Sequence, residues 1–255
     1  DIARCSLGGP DDYYNEDLLY KLFGINDELL IDHAWGWEPC TMKEIKAYRP
    51  SVKSLGSGQV LKKPYTFEET KTVLREMADA LALDLVDKGM VTDQIVLTVG
   101  YDRESLAGDS GKLYTGSVVR DRYGRTIPKH SNGSASLGGY RSSSRHITKA
   151  VLELFEQIGN PALLVRRVTL TANHVIPERG AKAIAENEAA QMSLFMDETI
   201  ETSEEAAACE RERRLQNAIL RVKKKYGKNA MLKAADLTEN ATARERNTQV
   251  GGHKA

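Results

Sequence analysis

The sequence has few cysteines, no histidine pair at the spacing of a metal site and no long hydrophobic run. Its 255 residues include three cysteines and five histidines. Cys5, Cys40 and Cys209 are far apart and form no Cys-x-x-Cys pair, which argues against disulfides and zinc and indicates reduced cytosolic thiols. No apolar segment reaches the roughly 18 residues that a membrane helix needs. We therefore expect a soluble, cytoplasmic protein without a membrane segment, and with no metal or cofactor bound by this chain.

The sequence also lacks a recognisable catalytic constellation. Asp79, Asp84 and Asp87 are predicted to lie on the solvent side of an amphipathic helix, where carboxylates more often serve solubility than metal binding. The serine run at 142–144 has His146 nearby, but no acidic residue is placed to orient that histidine. No catalytic residue is therefore predicted in this chain.

Charge is distributed unevenly, although the formal net charge of the whole chain is zero. Between Lys112 and Lys149 there are eight basic residues and one acidic residue, a net charge of +7. Between Glu178 and Glu205 there are eight acidic and two basic residues, a net charge of −6. This division favours a basic folded region followed by an acidic tether. A solvated charged face is the alternative interpretation of the basic half.

Apolar spacing and turn residues divide the chain into regions. Apolar residues at helical spacing, with stops at Gly24 and Gly36, predict a small helical region at the start. The next segment has two prolines and four basic residues, which predicts an extended linker. The regions are 1–37 (helical), 38–53 (basic linker), 54–176 (an α/β domain), 177–203 (acidic tether) and 204–255 (basic helix and tail).

The central region predicts an α+β fold in the order strand, helix, strand, strand, helix, strand, which is the split βαβ arrangement. Thr66 and Ser144 are the predicted caps of two helices, each with apolar residues every three or four positions. Because each helix is apolar on one side only, both should cover one face of a four-stranded sheet and leave the other face open. The predicted elements are strands at 53–61, 94–101, 133–142 and 163–175, helices at 66–88 and 144–158, a loop at 102–128, and a tail helix at 204–226 followed by roughly 20 poorly ordered polar residues.

An open polar sheet face bordered by Lys and Arg suits the phosphate backbone of a nucleic acid. Small hydroxyl and glycine residues allow close approach, and backbone N–H groups at a helix start can donate to phosphate. The strands carry no aromatic platform for base stacking, which favours a duplex bound without sequence specificity. A sheet that packs on another domain is the alternative. The predicted DNA-binding residues are Lys53, Ser54, Gly56, Ser57, Arg120, Arg122, Arg125, Ser136, Arg141, Ser142, Ser143, Arg145, Arg167 and Thr169.

The segment 191–195 displays two large apolar side chains where the sequence shows no apolar periodicity. Leu194 and Phe195 would each gain roughly 1.5–3 kcal/mol by entering an apolar pocket. Gln191 would add a directional amide hydrogen bond. We therefore expect a partner-binding peptide made of Gln191, Met192, Ser193, Leu194 and Phe195. An amphipathic turn folded back on its own domain is the alternative.

Several segments, in this order, resemble the C-terminal part of Y-family translesion DNA polymerases, the DinB/UmuC or ImpB/MucB/SamB group. Within this group, the segments are most similar to those of the UV-damage-repair members of Gram-positive bacteria. The segments cover essentially the whole chain. They are residues 20–25 (Tyr-Lys-Leu-Phe-Gly-Ile), 32–37 (Asp-His-Ala-Trp-Gly-Trp), 53–59 (Lys-Ser-Leu-Gly-Ser-Gly-Gln), 91–101, 140–145 (Tyr-Arg-Ser-Ser-Ser-Arg) and the peptide 191–195.

The resemblance implies the end of a polymerase thumb, a DNA-binding little finger and a peptide that binds the bacterial sliding clamp. The implied partners are primer-template or damaged DNA and that clamp, in DNA repair and SOS-type bypass synthesis. The parent would be a DNA-directed DNA polymerase that uses Mg²⁺ held by carboxylates of its palm. Those carboxylates have no counterpart here, so we expect a monomeric fragment that is inactive alone.

Two other interpretations of the sequence stay open at this point. The chain could be a non-catalytic adaptor that binds the clamp or DNA and regulates a polymerase. It could also be a protein–protein module whose basic surface meets an acidic partner. A DNA titration that shows no binding, together with intact clamp binding, would favour the protein–protein module.

Overall fold

The computed structural model describes residues 1–48, 54–107, 114–181, 203–250 and 253–254. The chain separates into two compact units, Asp1–Val52 and Lys53–Ala255. Among the described residues, no helix is both long enough and apolar enough to cross a lipid bilayer.

The first unit consists of short helices: α1 (Ile2–Cys5), α2 (Glu16–Phe23), α3 (Asp27–Ala34) and α4 (Met42–Ala47). The side chain of Asn15 accepts a hydrogen bond from the Leu18 N–H and caps α2, which ends at Gly24 with a φ of 61°. Helix α4 lies in the segment where an extended linker was expected. Thr41 and Glu44 form a capping box there, and this local signal favours a helical turn over an extended chain.

The second unit is built on an antiparallel sheet with the strand order β1-β6-β2-β5. Strands β1 and β2 both pair with β6, and β5 pairs with the other edge of β2. The predicted α+β fold of the split βαβ type is therefore confirmed. The strands are β1 (Leu55–Tyr65), β2 (Met90–Tyr101), β3 (Val118–Arg120), β4 (Thr126–Pro128), β5 (Ser131–Arg141), β6 (Val165–Asn173), β7 (Ile176–Pro177), β8 (Gln249–Val250) and β9 (His253–Lys254).

Helices α5 (Phe67–Lys88) and α6 (Ser144–Ile158) cover one face of this sheet. A capping box between Thr66 and Glu69 starts α5, and Gly89 in the left-handed conformation ends it. Ser143, not the predicted Ser144, caps α6, because its side chain accepts a hydrogen bond from the His146 N–H. The sequence places three serines in a row at this point, so local pattern alone does not select the cap.

The core lies between the two helices and the sheet. Alternate residues of β2 and β6 are buried, including Ile95, Leu97 and Leu170. Phe155 of α6 is fully buried and its ring stacks on Phe67 at 4.3 Å between centroids. Each of these large apolar side chains contributes roughly 1.5–3 kcal/mol by leaving water. The apolar stripes that predicted one covered face therefore form the core.

The segment 102–128, expected to be a loop, contains regular structure. A short 3₁₀ helix spans Arg103–Leu106, and β3 pairs with β4 in a small hairpin. The turn at the hairpin contains Gly124 with a φ of 74°. Each hairpin strand has three residues, too few to give the alternation by which a strand is recognised in a sequence.

The C-terminal region packs on the helix side of the second unit. Helix α7 (Ser203–Tyr226) contacts α5, and a 3₁₀ turn (Ala234–Leu237) and α8 (Ala243–Arg246) also contact α5. Helix α7 confirms the tail helix predicted at 204–226, whereas the expectation of poor order near the end of the chain was wrong for α8. Glu76, only 4% exposed, accepts hydrogen bonds from the N–H and Oγ1 of Thr242 at 2.9 and 2.8 Å. A buried carboxylate held in this way fixes the tail to α5.

Carboxylates on the outer side of α5 hold the same tail. Lys233 pairs with Asp79 and Lys224 pairs with Asp87. The neighbouring chain partly desolvates Asp84, which lies between these two acids on the helix, and raises its pKa, although the residue itself is exposed. The expectation of a solvated helix side holds for Asp84 and Asp87, which are both exposed, and is corrected for Asp79, which the tail half-buries.

Candidate nucleic-acid interface

The face of the sheet that faces away from α5 and α6 is polar, and we call it the open face. Its residues alternate with the buried core residues of the same strands, and none of them is aromatic. They are Gly56, Gly58, Val60, Gln94, Val96, Thr98, Gly100, Asn132, Ser134, Ser136, Arg167, Thr169, Thr171 and Asn173. Hydroxyl, amide and glycine positions dominate this surface, as the sequence predicts.

Side chains on the open face are partly fixed by one another. Thr98 Oγ1 donates to Asn132 Oδ1 at 3.1 Å, and Asn173 Nδ2 donates to Gln94 Oε1 at 3.1 Å. At Gly56 a Cβ atom would lie 2.6 Å from Thr171 Oγ1. Because Gly56 has no side chain, Thr171 fits beside it, and a ligand can approach the β1 backbone closely at this position. The result is an array of donors and acceptors that a polar ligand can approach closely.

Exposed cations lie at the end of the sheet where β2 ends and β5 begins. Arg167 is exposed on the open face, opposite Gly100 near the end of β2. Arg120, Arg122 and Lys129, all exposed, belong to the β3–β4 hairpin or directly follow it. Arg125 lies in the turn of the same hairpin. The remaining described basic residues of the +7 segment, Arg141, Arg145 and Lys149, lie at the end of β5 and on α6. The structure thus divides the basic segment into two groups.

The tip of the hairpin, residues 121–125, is held by one carboxylate. Asp121 Oδ1 accepts hydrogen bonds from the N–H groups of Tyr123 and Arg125, both at 2.9 Å. Asp121 Oδ2 accepts from Arg125 Nε at 2.6 Å. This hydrogen bond lowers the pKa of the Asp121 carboxyl below its usual range. The Arg125 guanidinium lies over the Tyr123 ring, 4.9 Å from its centroid.

The start of α6, where the sequence predicts phosphate contacts, is occupied by the tail. Glu212 of α7 accepts hydrogen bonds from Ser143 Oγ at 2.6 Å and from the Arg145 N–H at 3.1 Å. Arg213 donates to Ser142 Oγ at 2.7 Å and pairs with Glu178. A helix N-terminus favours an anion, and here the chain supplies that anion itself.

The remaining predicted residues are placed as follows. Ser54 is exposed just before β1, and Ser136 and Thr169 lie on the open face. Ser57 lies on the opposite face from Gly56, since it pairs with Leu170, whose side chain is in the core. Lys53 and the peptide Gln191, Met192, Ser193, Leu194 and Phe195 lie outside the described residues.

Two features of this site were missed by sequence reasoning. The first is Tyr123, which projects from the hairpin tip. The sequence does indicate a turn here, because Asp121 and Gly124 are typical turn residues between two short segments. Glu212 accepts a hydrogen bond at the α6 N-terminus from the N–H of Arg145, which comes 67 residues earlier in the chain. No local sequence pattern indicates such a pairing.

Within the described ranges, no group of three or more His, Cys, Asp or Glu residues could hold a metal ion. The chemistry of the open face and the hairpin is that of binding, through neutral hydrogen-bonding groups and exposed cations.

Comparison with known proteins relates this arrangement to one family. Residues 52–194 match the impB/mucB/samB family C-terminal domain. The chain is also 27% identical over 243 residues to a Bacillus subtilis (strain 168) protein named "Putative UV-damage repair protein UvrX", with 94% of this chain and 47% of the relative covered. The chain thus spans about half the length of that relative. Because the family match covers more than half of its residues, the chain belongs to the impB/mucB/samB family.

Proposed function

We propose that this chain is the DNA-binding and clamp-recruitment part of an error-prone Y-family translesion DNA polymerase that acts in DNA damage repair and SOS-type bypass synthesis. Family membership and the relative named for UV-damage repair support this proposal. The observation that carries it is the open face: one side of the sheet is covered by helices, and the other is polar and carries Arg167, with the hairpin cations near the end of β2.

The open face suits the backbone of duplex DNA. Phosphate and sugar oxygens accept hydrogen bonds from Ser, Thr, Asn and Arg side chains, and such contacts position a duplex without reading its sequence. The open-face residues offer donors of these types and no aromatic ring for a base. Primer-template or damaged DNA is therefore the proposed ligand, held through its backbone.

Catalysis is proposed to belong to other parts of the polymerase. Nucleotidyl transfer would require Mg²⁺, and the described residues offer no cluster for it. We expect the chain alone to leave a primer unextended in the presence of Mg²⁺ and all four deoxynucleotides. Primer extension by the purified chain, abolished by a chelator, would contradict this assignment.

The DNA-binding assignment is tested by fluorescence anisotropy with a labelled primer-template duplex at several salt concentrations. We expect the logarithm of the affinity to fall linearly with the logarithm of salt, with a slope of about −0.9 for each phosphate neutralised. Duplexes of unrelated sequence should bind equally well. Absence of binding at low salt, or binding that salt does not weaken, would refute the assignment.

Clamp recruitment is proposed for the peptide at 191–195. Leu194 and Phe195 would each contribute roughly 1.5–3 kcal/mol in an apolar pocket of the clamp. A synthetic peptide spanning 189–197 should therefore bind a bacterial sliding clamp in a calorimetric titration. The same peptide with Leu194→Ala and Phe195→Ala should not bind, and a peptide with Met196→Ala, just outside the five predicted residues, is the matched control. Equal binding by all three peptides would contradict the proposal.

We also propose that the chain is cytoplasmic and monomeric. Its mass is 28.2 kDa, so sedimentation equilibrium should give a single species of that mass without DNA. A concentration-dependent increase in mass would show self-association and contradict the monomer.

A further inference from the structure

We propose that Tyr123, at the tip of the β3–β4 hairpin, stacks on an unpaired base of single-stranded DNA next to the bound duplex. This inference rests on the proposed function, because it assigns a second contact to the same nucleic acid. It adds what the open face lacks, which is an aromatic ring for base recognition.

The ring of Tyr123 is displayed to solvent. This residue is 78% exposed, although the Arg125 guanidinium covers one side of the ring at 4.9 Å from the centroid. The opposite side of the ring therefore faces solvent. Base–aromatic stacking needs one free ring face, and a guanidinium on the other face strengthens the platform.

The hairpin tip is held in one conformation before any ligand arrives. Asp121 accepts hydrogen bonds from two backbone N–H groups of the turn and from the Arg125 side chain. The Gly124 N–H donates to the Asp121 carbonyl at 2.9 Å, and the Asp121 N–H donates to the Arg125 carbonyl at 2.9 Å. Because these bonds already fix the turn, stacking costs little conformational entropy at the tip.

The charge around the ring favours a nucleic acid over a protein partner. Residues 118–129 contain four basic residues and one acidic residue, a net charge of +3, and the acidic residue is the Asp121 that pairs with Arg125. Arg120, Arg122 and Lys129 remain exposed to meet phosphate groups. Bases inside a duplex stack on each other, so a tyrosine ring can stack without disrupting the helix only on an unpaired base.

The test uses the full chain and two labelled DNAs of equal duplex length, one blunt and one with a short single-stranded template overhang. The overhang carries 2-aminopurine, whose fluorescence reports stacking. Tyr123→Ala should bind the overhang DNA about 5- to 150-fold more weakly than the unsubstituted chain, as the usual contribution of one stacked base predicts. Its affinity for blunt DNA should be unchanged, and the 2-aminopurine signal should change with the unsubstituted chain but not with Tyr123→Ala.

Two variants serve as controls. Tyr123→Phe keeps the ring and should behave like the unsubstituted chain. Tyr226→Ala removes another tyrosine that is 67% exposed and has Lys225 Nζ 5.1 Å from its ring centroid, and it should have no effect. If Tyr123→Ala weakens neither DNA, or weakens both equally, the inference is overturned while the proposed duplex binding stands. If the unsubstituted chain binds neither DNA, the proposed function itself fails.

Discussion

Replacing Arg120, Arg122 and Arg167 by Gln should weaken duplex binding and reduce its salt dependence. The three guanidinium groups are exposed and lie at the same end of the sheet. Each phosphate contact adds about 0.9 to the salt slope, so the loss of three contacts lowers the slope by about 2.7. If the affinities are taken as equal at about 1 M salt, where the logarithm of the salt concentration is zero, a slope lower by about 2.7 corresponds to an affinity about 500-fold lower at 0.1 M salt. Anisotropy titrations of a labelled duplex at several salt concentrations measure both quantities.

The matched control replaces Arg214, Arg221 and Lys225 by Gln. These residues are also exposed, but they belong to α7, which packs on α5 at the covered side of the sheet. The change in net charge is the same, so any effect of overall charge is the same in both variants. We expect the control to change the slope by less than the value of one contact, about 0.9. Equal losses in both variants would refute the open face as the binding surface.

Two further predictions concern the core and the hairpin. Phe155→Ala should lower the free energy of unfolding by about 3–5 kcal/mol, because loss of the fully buried ring leaves a cavity beside Phe67. Urea unfolding measures this free energy. A loss below about 1 kcal/mol would contradict the described packing. The pKa of Asp121 is lowered by its hydrogen bond from Arg125, so this contact stabilises the folded tip above the ordinary carboxyl pKa and is lost as pH falls through the lowered value. The NMR shift of the Gly124 amide should titrate below about pH 3.9, the ordinary Asp value, and a midpoint at or above that value would contradict the contact.

The elements that could be predicted from the sequence are those with a long apolar period. The stripe of α5 includes Leu74, Met77 and Leu81, which recur every three or four residues and are buried as expected. In β6, Val168 and Leu170 are buried in the core, and the residues that alternate with them lie on the open face. Such periods predict which side is covered, because burial of apolar surface is the dominant force in folding. The open face could therefore be predicted as a whole.

Individual site residues were harder to place because their positions depend on register. The start of β1 alternates Gly and Ser, and neither residue type indicates which face is buried. A shift of one residue in register moves every side chain of a strand to the other face. Ser57 consequently lies on the helix-side face of the sheet, where it is still exposed, although Gly56 lies on the open face.

The helix of the tail could be predicted, but its packing on α5 could not, because polar contacts between distant segments hold it there. Lys224 and Lys233 pair with acids of α5, and Thr242 binds the buried Glu76. Hydrogen bonds and ion pairs between distant segments leave no periodic trace in a sequence. The same is true of Glu212, whose contact with the start of α6 changes the interpretation of that site.

The start of α6 is a test of which surface binds DNA. Ser143 Oγ and the Arg145 N–H both donate to Glu212, so a phosphate could use them only after displacing this carboxylate. If the duplex lies on the open face alone, Glu212→Ala should leave its affinity unchanged, with Glu210→Ala as the matched control on the same helix. One phosphate contact at 0.1 M salt is worth about eightfold in affinity. An increase of that size in Glu212→Ala alone would show that the duplex also reaches α6, and would contradict binding by the open face alone.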